Sequence, residues 1–121
     1  MPKTILCVDD SPTQLQALID ALQPHGYTLV TAENGEDALQ KVAESVPDLV
    51  LLDVVLPKKN GFQVCRQIKT QAQTKDVKVV LLTSKNQASD RFWGMKQGAD
   101  DYMVKPFDPE DLADQVARQL G

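Results

Sequence analysis

Two adjacent acids, a third acid, a hydroxyl and a lysine each stand directly after an apolar run in this 121-residue chain. Asp9 and Asp10 follow Ile5-Leu6-Cys7-Val8, Asp53 follows Leu49-Val50-Leu51-Leu52, Thr83 and Ser84 follow a third run, and Lys105 follows Tyr102-Met103-Val104. Carboxylates at the ends of neighbouring strands converge and repel. At an effective dielectric of ~20 and a separation of ~5 Å, each pair costs about 3 kcal/mol. A positive group has to sit among them, or one of them takes up a proton. Lys105 supplies one charge. The rest falls to a hard divalent cation, because the donors are oxygens with no His or Cys. A site of few carboxylates that leaves waters in place suits Mg²⁺ better than Ca²⁺. Mg²⁺, Lys105 and the Thr83 hydroxyl would make three electrophilic contacts around a tetrahedral oxyanion near Asp53. A carboxylate can be the nucleophile that accepts a phosphoryl group, forming an acyl phosphate. Asp53 is the central candidate, since its two neighbours from the first strand can hold the metal. A blander reading has Asp9 and Asp10 capping a helix and Asp53 opening a turn. It loses weight because Ser11-Pro12 already caps that helix, and the run before Asp53 needs no acid.

The elements that must position these groups alternate. Apolar runs at 5–8, 27–31, 49–52, 77–82 and 102–104 predict strands, and each is followed by a segment of helical periodicity. Nearly unbroken apolar runs belong to strands covered on both faces, hence to a parallel sheet between helices. Ser11-Pro12-Thr13-Gln14, Asn34, Asn60-Gly61 and Asp108-Pro109 supply helix starts, with a capping box expected from Ser11 and Gln14. Predicted inward faces are Leu15, Leu18, Ile19 and Leu22; Ala38, Leu39, Val42, Ala43 and Val46; Val64, Cys65 and Ile68; and Leu112, Ala113, Val116, Ala117 and Leu120. The fourth helix is expected to bury Ala88, Phe92, Met95 and Ala99. Gly94 should loosen it, at about 1 kcal/mol against Ala, and Trp93 should lie beside that face. Right-handed crossovers and short connections leave few topologies, of which the simplest is an α/β fold of flavodoxin-like (βα)5 type, a three-layer sandwich with parallel sheet order 2-1-3-4-5. Its ligand site lies outside the carboxyl ends of the strands, where the acids stand.

Length and charge narrow the rest. A chain of this size makes one domain, 1–121, with a core that needs no disulfide staples. Cys7 and Cys65 match no metal-ligand spacing and are expected as reduced thiols. With 13 basic against 17 acidic residues there is no basic patch to bind nucleic acid. No apolar stretch has the length of a membrane span and no signal-peptide core opens the chain, so a cytoplasmic protein without membrane insertion is expected. His25, the single histidine, is expected exposed near a helix end, and the pairs Lys58-Lys59 and Asp100-Asp101 as solvated loops.

Val8-Asp9-Asp10-Ser11, Leu52-Asp53-Val54-Val55-Leu56-Pro57 with Gly61 beyond, Thr83-Ser84 and Lys105-Pro106-Phe107 together resemble the response-regulator receiver domain of two-component signalling, over the whole chain. The resemblance implies Asp53 as phosphoacceptor, Asp10 as direct Mg²⁺ ligand with Asp9 acting through water, and the Val55 carbonyl as a further ligand. It implies Lys105 as the contact to the phosphoryl group, a cis bond before Pro106, and Thr83 and Tyr102 as a switch pair. It also implies a histidine kinase or phosphotransfer protein as donor and a downstream protein target. The chain is expected to act as a monomer and stand-alone phospho-switch, with no output domain after Gly121 and no catalysis beyond its own phosphorylation and dephosphorylation. The partner surface is expected on the fourth helix, last strand and last helix, with Trp93 and Tyr102 in it. Val55 stands where many receivers carry a polar side chain. The segment from Phe92 to Tyr102 further resembles the receivers linked to type IV pilus twitching motility.

Other readings fit less well. A Mg²⁺-dependent phosphohydrolase with an aspartyl nucleophile usually needs a second acid near it and a cap, whereas Val55 is apolar and the chain is short. Flavin binding would set a phosphate against Asp9-Asp10. A phosphorelay intermediate without its own output remains an alternative to a switch.

Overall fold

The apolar runs form the strands β1 (Thr4–Val8), β2 (Thr28–Ala32), β3 (Leu49–Asp53), β4 (Lys78–Thr83) and β5 (Asp101–Val104). Between and after them lie the helices α1 (Pro12–Leu22), α2 (Gly35–Ser45), α3 (Gly61–Thr70), α4 (Ala88–Lys96) and α5 (Pro109–Leu120). The structure is a computed structural model that describes residues 2–84 and 88–121, with the backbone alone for 88–90. All pairings are parallel and the order is β2-β1-β3-β4-β5, the flavodoxin-like arrangement expected. Every residue of the central strand β3 is buried, whereas the edge strands β2 and β5 are only partly so. Two covered faces are the reason the middle strands are apolar without alternation.

The side chains of each strand divide between two cores, as the period-2 pleat requires. Ile5, Cys7, Leu49, Leu51, Val80 and Leu82 face α1 and α5, meeting Leu15, Leu18, Leu22, Leu112 and Val116. Leu6, Val8, Val50, Leu52, Val79 and Leu81 face the other side, where Ala38 and Val42 of α2 and Val64 and Ile68 of α3 cover them. Fully burying one such Leu or Val is worth about 1.5–3 kcal/mol, so both faces are needed to hold a chain of this length. Cys7 and Cys65 belong to opposite cores and are free.

Helix ends follow the expected residues. Ser11 Oγ accepts from the Gln14 N–H at 3.3 Å, Asn34 Oδ1 from Asp37 at 2.8 Å, and Asp108 Oδ1 from Glu110 at 2.8 Å. The reciprocal capping box expected from Ser11 and Gln14 is not formed, since the Ser11 N–H donates to Asp9 Oδ1 instead; it forms at α3, between Asn60 and Gln63. After Leu22 a 3₁₀ turn (Gln23–His25) carries Pro24, and Gly26 at φ +83° ends it. His25 is exposed, its ring 6.4 Å from that of Tyr27.

Three expectations need correction. Ala43 and Ala117 are exposed, because the inward stripes of α2 and α5 are narrower than the sequence pattern suggested, and Val46 is exposed because α2 ends before it and it forms the left-handed cap at φ +42°. Asp100 is no solvated loop residue. Its carboxylate accepts from the Val79 N–H at 2.8 Å and pairs with Lys69 Nζ at 2.7 Å, joining the end of α3 to the start of β4. The largest correction concerns α4. Phe92 and Met95 are 57% and 44% exposed, Trp93 is 55% exposed, and the buried residue is Gly94. A Cβ on Gly94 would stand 2.8 Å from Leu81 Cδ1 and 3.2 Å from Tyr102 Cδ2. Gly94 therefore lets α4 lie close on the sheet rather than loosening it, and the bulky residues beside it are turned outward. Ala99 is buried as expected, while the side chain of Ala88 lies outside the described residues.

Candidate functional site

Register brings the acids together. Val8 pairs with Leu52, so Asp9 and Asp53 leave the adjacent strands β1 and β3 side by side. Asp9 is 2% exposed and Asp53 8%, while Asp10 turns outward to solvent. One carboxylate oxygen from each of the three lies within 4.8 Å of the others. Thr83 pairs with Val104 at the end of the sheet, which sends Lys105 out of β5 toward the same point. Its Nζ is 2.5 Å from Asp9 Oδ2 and 3.6 Å from Asp53 Oδ2. The Lys105–Pro106 peptide is cis, as the resemblance implied. An open cleft of about 530 Å³ lies over these groups, with Ser11, Gln14, Ser84 and Pro106 completing its lining.

Local hydrogen bonds set the carboxylates. Asp9 Oδ1 accepts from the Ser11 N–H at 3.0 Å, and the Asp9 N–H donates to the Ala32 carbonyl at 3.1 Å. Asp53 Oδ1 accepts from the Val55 N–H at 3.3 Å. Burial pushes the Asp53 carboxyl above the ordinary range. Lys105 pulls it back, Asp9 pushes it further up, and the Val55 N–H lowers it again, but the net direction is upward. Asp53 is thus a carboxylate whose charge is only partly compensated by the protein.

One ammonium among three carboxylates leaves the site short of positive charge. The unmet requirement is for a cation, and the donor set is all oxygen with one acid open to solvent. That set fits a hard divalent ion that keeps part of its water shell, as Mg²⁺ does. Asp9, Asp10, Asp53 and Lys105 are brought together as expected. The Val55 side chain is 55% exposed beside them. Thr83 is fully buried at the end of β4, directly before Ser84, which lines the cleft. Tyr102 is 2% exposed, sits opposite Leu81, and shares the α4 side of the sheet with it. Thr83, two residues after Leu81, projects to that same side, so the two members of the expected switch pair are diagonal neighbours under α4. Arg91 of α4 lies over the Tyr102 ring, 5.4 Å from its centroid. Trp93 stands on the exposed part of α4, away from the cleft lining. Gln14, read from sequence only as a cap, also reaches the cleft. Its place in the first turn of α1, directly beyond Asp9-Asp10-Ser11, is the signal that could have flagged it.

Residues 5–117 match the sequence profile of the response regulator receiver domain family. The chain is similar to Protein PilH of Pseudomonas aeruginosa, at 45% identity over 108 residues, 89% of each chain. It is 42% identical over 112 residues to the alkaline phosphatase synthesis transcriptional regulatory protein PhoP of Bacillus subtilis, covering 93% of this chain and 46% of that one. This chain thus spans about half the length of that regulator. Among solved structures, the chemotaxis response regulator CheY4 of Vibrio cholerae superposes with a TM-score of 0.92 at 32% identity, over 98% of this chain and 99% of that one.

Proposed function

Because this chain belongs to the response-regulator receiver domain family of two-component systems, we propose that Asp53 accepts a phosphoryl group and that the acyl phosphate switches a partner-binding face. The observation that carries the reading is the placement of Lys105 Nζ between Asp9 and Asp53, at 2.5 and 3.6 Å, beside a solvent-open third carboxylate. Asp9, Asp10, Asp53 and the Val55 carbonyl would hold Mg²⁺, which when bound neutralises charge on the incoming phosphoryl oxygens. A carboxylate oxygen of Asp53 attacks phosphorus in line with the leaving group, forming an O–P bond as the donor's P–N bond breaks and its electron pair leaves on the imidazole. The donor is a histidine kinase or phosphotransfer protein. Lys105, already within reach of Asp53, moves its charge from carboxylate to phosphoryl oxygen. The low polarity that raises the Asp53 carboxyl also strengthens these contacts.

The output reading follows from Thr83 and Tyr102. A hydroxyl at the end of β4 drawn to a phosphoryl oxygen vacates space on the side that Tyr102 shares, and movement of that ring alters how α4 sits. The partner face is then α4, β5 and α5, with the exposed Trp93 in it and the buried Tyr102 acting on it from beneath α4, and a downstream protein is its target. The exposed Phe92, Trp93 and Met95 support this, since large apolar groups gathered on one helix mark binding surfaces. We read residues 1–121 as one receiver unit, acting as a monomer in the cytoplasm, with no activity beyond its own phosphorylation and dephosphorylation. No described helix is long and apolar enough to cross a membrane. The likeness to PilH and the segment from Phe92 to Tyr102 favour the twitching-motility group.

Intact-mass measurement after incubation with a small acyl phosphate and Mg²⁺ tests the chemistry. Wild type gains one phosphate and Asp53→Asn gains none; phosphate on that variant would assign the nucleophile elsewhere. Thr83→Ala should still be phosphorylated while losing the change in Trp93 fluorescence. An unaltered Trp93 signal in wild type, with a partner footprint on α1, would move the output to another face.

A further inference from the structure

We propose that Gly35, at the first turn of α2, is a positioning residue for the cation site, acting through the loop that follows Asp53. The inference rests on the Mg²⁺ reading above and adds a residue to it.

Residues 54–60 join β3 to α3 and carry Val55. Their inner half is tied to the site: the Val54 N–H donates to the Leu82 carbonyl at 3.3 Å, the Val55 N–H to Asp53 Oδ1 at 3.3 Å, and the Gly61 N–H to the Val54 carbonyl at 2.8 Å. The outer half leans on α2. The Gly35 N–H points to the Pro57 carbonyl at 3.4 Å, and Lys58 Nζ lies 3.9 Å from Glu36 Oε2. Lys58 takes φ +70°, and the Lys59 N–H returns to the Pro57 carbonyl at 2.9 Å, so this part is a tight turn with little slack. A Cβ on Gly35 would overlap the Lys59 carbonyl oxygen and stand 2.7 Å from Lys59 Cβ. The atoms it meets are mostly backbone, which cannot swing aside as a flexible side chain does.

Gly35 is buried, and its φ lies outside the left-handed region. The helix itself would accept Ala there. What requires glycine is the close approach of the loop. Restoring ordinary contact between an added methyl group and the Lys59 carbonyl lifts residues 57–59 by a distance on the order of 1 Å, and because the turn is short the shift passes to Val55 and Asp53. Loss of an outer group that orients metal ligands weakens metal binding by roughly 10- to 100-fold.

The test is calorimetric titration of the unphosphorylated protein with Mg²⁺ alone, with folding checked by circular dichroism and urea denaturation. Gly35→Ala should remain folded at the titration temperature and bind Mg²⁺ about 10- to 100-fold more weakly. Lys59→Gly overpacks nothing, frees the same segment, and should weaken binding roughly two- to fivefold. If Gly35→Ala does not fold, Lys59→Gly decides alone. A folded Gly35→Ala that binds Mg²⁺ within twofold of wild type overturns the inference, as does an unchanged Lys59→Gly where it decides. Wild type that binds no Mg²⁺ overturns the cation reading itself, which is a separate result.

Discussion

Replacing the proposed phosphoacceptor should make the cation-free protein more stable. Asp53 lies 3.6 Å from Lys105 Nζ, an attraction of about 4.6 kcal/mol at an effective dielectric of ~20. An oxygen of Asp9 and one of Asp10 each lie within 4.8 Å, so each repulsion is at least about 3.5 kcal/mol on the same scale, reduced for the solvent-exposed Asp10. Attraction and repulsion thus largely offset each other, and desolvation of the buried carboxylate, the largest cause of its raised pKa, leaves the charged form at a net penalty. Asn keeps the shape without the charge, and Lys105 keeps its 2.5 Å contact with Asp9, so no buried charge is stranded. Asp53→Asn should therefore gain on the order of 1–2 kcal/mol at pH 7 in chelator, or about 4 °C in Tm per kcal/mol. The pH dependence has a definite sign. The carboxyl is raised in the folded state, so below its unfolded value of 3.8 the penalty is absent, and it grows as pH rises through the folded pKa. Wild type should accordingly approach the variant as pH falls. Mg²⁺ at 100 times its dissociation constant then adds ~2.7 kcal/mol to wild type and less to the variant, which has lost a ligand, so the order of stabilities reverses. Calorimetric melting in chelator and in Mg²⁺ measures all of this. An Asn variant that melts below wild type in chelator at pH 7 would refute the charge argument.

Lys105→Met should have the opposite effect, since Asp9 and Asp53 then lose their cation; urea denaturation in chelator should show a loss of about 3 kcal/mol, partly restored by Mg²⁺. Gly94→Ala meets Leu81 at 2.8 Å and Tyr102 at 3.2 Å, so overpacking of about 1–3 kcal/mol should outweigh the gain in helix propensity of about 1 kcal/mol. A stabilised variant would show that α4 can lift without cost. Burial pushes the thiols of Cys7 and Cys65 up to about 12, so a thiol reagent at pH 8 should label neither until urea unfolds the chain; labelling at native rates would show an opening of the sheet faces.

Alternation of apolar runs with helical periodicity was enough to give five β–α units, and unbroken apolar strands implied a sheet covered twice. With right-handed crossovers these facts leave few orders, and the simplest of them is the order observed. Asp9, Asp10, Asp53 and Lys105 were legible for a related reason: residues that directly follow apolar strands in a parallel sheet must gather at one edge. What sequence pattern could not decide was how closely each helix approaches. The 3.6-residue period around Phe92 and Met95 was real, yet the sheet under α4 admits only Gly94, because Leu81 and Tyr102 leave no room for a side chain. Burial on a helix is set by the partner surface, and that surface is built from strands distant in sequence. The same holds for Asp100, which reads as a loop acid until Lys69 and Val79 arrive beside it. It holds too for Gly35, whose reason is a carbonyl of Lys59 across a tertiary contact. Local sequence carries periodicity and caps; distances between elements, and hence which glycine is needed and which charge is paired, exist only once the chain has closed on itself.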